Sequence, residues 1–135
     1  MSLPEEVIEI LKTTQTIAVV GLSAKPERPS HYVSLYLQHH GYRILPVNPG
    51  LHHVLGQPCV AQLEDLTEAV DLVLCFRRSE FIPAIAKSAI AIGAKAFWMQ
   101  LGIANEEAAD KLMAAGLNVV QDRCMMVVHK EWKAR

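Results

Sequence analysis

Five short, largely apolar stretches recur along this chain, and longer segments of helical period separate them. They read TIAVVG from Thr16, YRILPVN from Tyr42, DLVLCF from Asp71, AKAFWM from Ala94 and LNVV from Leu117. A strand that is apolar on both faces must be covered on both faces, which a parallel sheet between helical layers provides. The alternation of strand and helix points the same way.

The helical segments carry their own punctuation. PEEVIEILKT puts Pro4 in the first turn, Glu5 and Glu6 at the positive helix end, and Val7, Ile8 and Leu11 on one face. A second helix is expected over 30–40, with Ser30 as N-cap and Gly41 at its end. Further helices are expected over 80–92, 105–115 and 124–132. Residues 51–60 read as irregular, and AQLEDL from Ala61 reads as a brief helical turn. With right-handed crossovers the result is an α/β, three-layer Rossmann-like doubly wound parallel sheet. About five strands are expected, most simply in the order 3-2-1-4-5, with a ligand beside the ends of strands one and four.

The length of 135 residues suits one domain, 1–135, and 51% apolar with 20% charged residues is a globular balance. A net charge of -1 offers no bulk attraction for nucleic acid or an acidic membrane, so any anion site must be built locally. No apolar run approaches the ~20 residues of a membrane span, and the acidic N-terminal stretch is unlike a signal peptide. A cytoplasmic location is the expectation. Cys59, Cys75 and Cys124 are an odd number without close spacing, which suits reduced thiols. The six histidines lack zinc-type spacing, and no G-x-S-x-G elbow occurs. No metal site and no catalytic residue is assigned.

The chemistry gathers at the expected carboxyl edge of the sheet. In IAVVGLSAKPERPS the first strand runs through Gly21 into a helix N-terminus, whose free N–H groups and dipole attract anions. Ser23 and Ser30 add hydroxyls, and Lys25 and Arg28 add charge. The same residues also suit a solvated loop with a capping serine. A dinucleotide fingerprint would need two more glycines and an acid at the end of strand two. That position holds Pro46, Val47 and Asn48, either an apolar wall with an amide for an adenine edge or a stiff turn. Strand three ends in CFRRSE, where Arg77 and Arg78 suit either a phosphate or surface pairing with Glu80. Strand four ends in WMQLGI, where Gln100 can bond a ligand amide and Trp98 suits the core. Cys124 precedes a helix, which suits a reactive thiol or a small buried residue.

Taken in order, VVGLSAKPERPSHYVSLYLQHHGYRILPVNPG, LGQPCV, VLCFRR, WMQLGI and VVQDRCM resemble the small stand-alone CoA-binding proteins. These are similar to the N-terminal CoA-binding domain of the succinyl-CoA synthetase α subunit and of related acyl-CoA synthetases. The resemblance implies coenzyme A, or an acyl-CoA, as ligand. It implies phosphates at Gly21, Ser23, Lys25, Arg28 and Ser30, and the adenosine part at Pro46, Val47 and Asn48. It implies the pantetheine arm at Phe76, Arg77, Gln100 and Gly102. The synthetase works through a phosphorylated histidine from a second domain, and no such domain is expected to follow strand five here. The resemblance therefore implies CoA binding without ligase chemistry. A mixed disulfide between the CoA thiol and Cys124 or Cys59 is a further expectation. Two rivals remain: an NADP-dependent oxidoreductase-like protein, with Lys25 and Arg28 on a 2′-phosphate, and a protein-interaction module without ligand.

Overall fold

A computed structural model describes residues 3–135. Its main sheet has five parallel strands: β1 (Thr16–Val20), β2 (Arg43–Val47), β5 (Leu72–Cys75), β6 (Ala96–Met99) and β7 (Asn118–Val120). Between β2 and β5 lies an antiparallel hairpin, β3 (His53–Val54) and β4 (Gln57–Pro58). The helices are α1 (Glu5–Thr13), α2 (Pro29–His39), α3 (Ile82–Ala91), α4 (Glu106–Ala114) and α5 (Met125–Lys133).

Two apolar cores flank the sheet. On one face Ile17, Val19, Leu72, Leu74 and Trp98 meet Leu11 of α1, Val33 and Leu37 of α2, and Met125 and Val128 of α5. On the other, Ala18, Val73, Phe97 and Met99 meet Leu63, Ile82 and Ala86 of α3, and Leu112 of α4. Successive residues of β1 and β5 alternate between the two cores, which is why those runs show no polar face.

The order is β2-β1-β5-β6-β7, so the third long strand joins β1 on the side away from β2. This corrects the expected 3-2-1-4-5 to 2-1-3-4-5, an order common among doubly wound sheets. Pro46 supplies a physical reason. The Pro46 carbonyl faces outward, where it accepts from Val60 N–H at 3.2 Å, and its nitrogen faces the same way. A proline there leaves an inner strand short of one ladder bond but is tolerated at an edge. The return from β2 to β5 then crosses the opposite face, carrying Leu63 and Val70 into the second core.

Two local expectations are also corrected. Residues 51–60 contain the hairpin, whose turn holds Leu55 and Gly56 at φ 54 and 73. Both central residues of a tight hairpin turn take positive φ, a state normally signalled by Asn-Gly rather than Leu-Gly. Helix α2 begins at Pro29 with Arg28 as N-cap, because proline is favoured at the first helical position. Ser30 is therefore inside the first turn, not the cap. No helix of the described residues is long and apolar enough to cross a membrane.

Candidate functional site

With β5 beside β1, the chain leaves the sheet over opposite faces from these two strands: α2 follows β1, and α3 follows β5. The crevice opens at their carboxyl ends, beside the end of strand one as expected, with β5 standing between strands one and four. The β6 end still reaches it. A cleft of about 420 Å³ is lined by Gly21, Ser23, Lys25, Arg28, Pro29 and Ser30 on one wall, and by Phe76, Gln100, Leu101 and Ile103 on the other.

The first wall is held by its own polar groups. Ser23 N–H donates to Ser30 Oγ at 2.9 Å, and Lys25 N–H donates to Ser23 Oγ at 3.1 Å. His31 Nδ1 lies 2.8 Å from the Ser23 carbonyl, which it meets as a donor. As the second residue of α2, Ser30 has an N–H without an intrahelical acceptor. Lys25 and Arg28 are exposed and form no ion pair among the described residues. The wall thus offers a helix N-terminus, hydroxyls and two uncommitted cations, the chemistry of a phosphate cradle.

The opposite wall is apolar apart from one amide. Gln100 is 5% exposed, and its Oε1 accepts from Met125 N–H at 3.2 Å, capping α5. The Gln100 amide nitrogen makes no hydrogen bond among the described residues, so this wall of the cleft carries one free donor beside Phe76, Leu101 and Ile103.

A second hollow of about 260 Å³ meets the cleft at Gly21 and is lined by Val47, Asn48, Pro49, Ala61 and Arg77. Arg77 lies against Gly21, with its guanidinium 4.4 Å from the Phe81 ring centroid. Arg78 instead reaches Glu80 at 4.0 Å on the surface. Asn48 Nδ2 donates to the Leu22 carbonyl at 3.0 Å, and its Oδ1 accepts from Gly50 N–H at 2.8 Å, so both ends of the amide are engaged.

Seven of the twelve expected site residues therefore meet in the cleft: Gly21, Ser23, Lys25, Arg28, Ser30, Phe76 and Gln100. Val47, Asn48 and Arg77 line the adjoining hollow. Pro46 lies within β2 and lines neither. Gly102 also lines neither; at φ 86 its N–H donates to Asp122 Oδ1 at 2.6 Å, which ties the loop after β6 to the loop after β7. Sequence reasoning missed Leu101 and Ile103, although both flank the quoted glycine in the same motif. It also missed Asp122, itself at φ 56.

Cys59 donates its thiol to the Asn48 carbonyl at 3.5 Å, and burial pushes its pKa up against that hydrogen bond. Cys124 is the half-buried N-cap of α5 and packs against the first core. Trp98 is fully buried, its Nε1 donating to the Arg123 carbonyl at 2.8 Å.

The family model for the CoA binding domain matches residues 15–130, a span that includes both walls of the cleft. The chain belongs to the CoA-binding domain family. Within it, the chain is 44% identical over 124 residues to the uncharacterized protein YneT of Bacillus subtilis, covering 92% of each. It is 40% identical to cell-free ID.343 of Thermus thermophilus, a solved structure matched with a TM-score of 0.89 over 94% of this chain and 96% of that one. The fold also recurs in a dinucleotide-forming acetyl-coenzyme A synthetase 1 of Ca. Korarchaeum cryptofilum. There the TM-score is 0.71 at 23% identity, covering 83% of this chain and 27% of the synthetase. The expected resemblance to CoA-binding domains holds, and the likeness to an acyl-CoA synthetase is one of fold.

Proposed function

We propose that the protein binds coenzyme A or an acyl-CoA in this cleft and has no catalytic centre of its own. The phosphates rest on the Ser23–Ser30 hydroxyls, the α2 N-terminus, Lys25 and Arg28. The adenosine part turns past Gly21 into the hollow beside Val47 and Asn48, and the pantetheine arm follows Phe76 to Gln100. The observation that carries this reading is the division of the cleft: one wall is built for anions, and the other is apolar with a single free amide donor. A pantetheine arm has that alternation of methylene and amide, and its carbonyls suit the free Gln100 Nε2. Membership of the CoA-binding domain family supports the same ligand.

Thermal unfolding with CoA, acetyl-CoA, NADPH, NAD and ADP at equal concentrations tests it. A ligand that binds only the native state adds about 2.7 kcal/mol at a concentration ~100 times its dissociation constant, raising the midpoint by several degrees. A rise with CoA or acetyl-CoA that exceeds the rise with ADP is expected. A rise with NADPH alone overturns the ligand, and no rise with any compound favours an interaction module.

A further inference from the structure

His129 of α5 is 1% exposed yet belongs to neither the cleft nor the hollow. Its Nδ1 lies 2.8 Å from Tyr36 Oη of α2. Its ring meets His40 at 5.1 Å, Tyr36 at 5.4 Å, Trp132 at 5.6 Å and Tyr42 at 5.7 Å between centroids. These contacts join the far parts of α2 and α5. The near ends of the same two helices serve the cleft: α2 begins at the Arg28–Ser30 wall, and the first N–H of α5 holds Gln100. The cluster is therefore the clamp between the helices that hold opposite walls.

The surroundings of His129 disfavour a proton. Tyr36 and His40 face it from α2, Tyr42 from the turn before β2, and Lys133 from its own helix. Lys130 stands 5.3 Å over the Tyr36 ring, and Lys133 stands 4.5 Å over Trp132. A separate hollow beside His129, away from the cleft, is lined from the end of α1 and the turn after it by Leu11, Thr14 and Gln15, none of them charged. No Asp or Glu of the described residues pairs with His129, His40, Lys130 or Lys133. Burial, and then His40 and Lys133, hold the His129 pKa below its ordinary value. The hydrogen bond to Tyr36 survives in either sense, so the destabilising factor is a buried imidazolium among cations.

We infer that His129 is a proton-controlled positioning residue: neutral, it seats α5 on α2 and fixes the two walls of the cleft, and its protonation unseats α5 and weakens binding of the anionic ligand. The ligand half of this inference rests on the CoA reading above. The clamp itself does not.

The test is CoA affinity by calorimetry at about pH 5.5 and about pH 7.5, for the wild type and for His129→Gln, which accepts from Tyr36 without titrating. The ligand phosphate also titrates in this range, but it is common to both proteins and cancels in the comparison. The wild type is expected to lose several-fold more affinity on acidification than His129→Gln does. Equal losses overturn the inference. Hydrogen exchange of the α5 amides, without ligand, keeps the question separate from the CoA reading. Protection that falls on acidification in the wild type and in Tyr36→Phe, but not in His129→Gln, supports the clamp. Protection that is independent of pH in the wild type overturns it. If neither protein binds CoA at either pH, the functional reading fails and takes the ligand half with it, while exchange still decides the clamp.

Discussion

The side-chain amide of Asn48 is bonded to the backbone of Leu22: Nδ2 donates to the Leu22 carbonyl at 3.0 Å, joining the turn after β2 to the loop after β1. Its Oδ1 at the same time holds Gly50 N–H at 2.8 Å. Asn48→Ala loses both bonds and should destabilise the fold by about 1–2 kcal/mol. Asn48→Asp keeps the acceptor for Gly50 but sets a carboxylate against the Leu22 carbonyl, and should bind CoA less tightly than Asn48→Ala. Denaturant unfolding and CoA titration of the two variants check both statements.

Gly21 stands at φ 87, and a Cβ there would lie 3.1 Å from Cδ of Arg77. Gly21→Ala is expected to cost about 1–2 kcal/mol of stability from the left-handed backbone. It also pushes Arg77 away from the junction of cleft and hollow. CoA affinity should fall by more than ADP affinity rises or falls under matched conditions, as read by calorimetry.

The side chains of Lys25 and Arg28 form no ion pair among the described residues, whereas Arg78 is spent on Glu80. Charge-assisted bonds contribute about 1.5–3 kcal/mol, so Lys25→Ala and Arg28→Ala should each weaken CoA about 10- to 100-fold. Both should flatten the dependence of binding on salt. Arg78→Ala should leave affinity unchanged.

Asp71 immediately precedes β5, and its Oδ2 accepts from Gln15 N–H at 2.9 Å and Thr16 N–H at 3.0 Å. Burial pushes its carboxyl up, but the two backbone donors and Lys95 outweigh this and hold the pKa below its ordinary value. The native state thus binds this proton less readily than the unfolded chain does. Its contribution is complete above the unfolded carboxylate range of about 3.9 and is lost as pH falls through the native value. Asp71→Asn should cost about 1.5–3 kcal/mol at neutral pH and show a shallower loss of stability in acid. Urea titrations across that range check it.

Ser34 is fully buried in α2, and its Oγ has no hydrogen-bond partner among the described residues. Ser34→Ala removes an unpaired hydroxyl and favours the helix, so a gain of about 1 kcal/mol is expected in denaturant unfolding.

Much of this architecture was legible in the residues. The five apolar runs form the five strands, because a strand enclosed on both faces leaves an unbroken signature. Gly21, Ser23, Lys25, Arg28 and Ser30 meet in one wall because they are close in sequence and follow a strand into a helix. What was misread depended on partners distant in the chain. Strand order turned on the missing N–H of Pro46, a cue present in the sequence but not used. The role of Ser30 turned on Pro29 taking the first helical position. The hairpin stayed hidden because Leu55 adopts a backbone state its side chain disfavours. The engagement of Asn48 with Leu22, and of Gln100 with Met125, spans about 25 residues and leaves no local pattern.

The edge position of β2 also bears on how the chain assembles during synthesis. Once β1 and β2 have paired, every later strand of the sheet arrives on one side only, each beside the strand made just before it except β5, which returns to β1. Growth therefore runs in a single direction, and no finished edge has to reopen. The helix α5 follows the last of these strands and is the piece that reaches back to Gln100 and to Tyr36. The wall of the cleft at Gln100 is therefore completed only when α5 has packed, after the five strands of the main sheet that precede it in the chain.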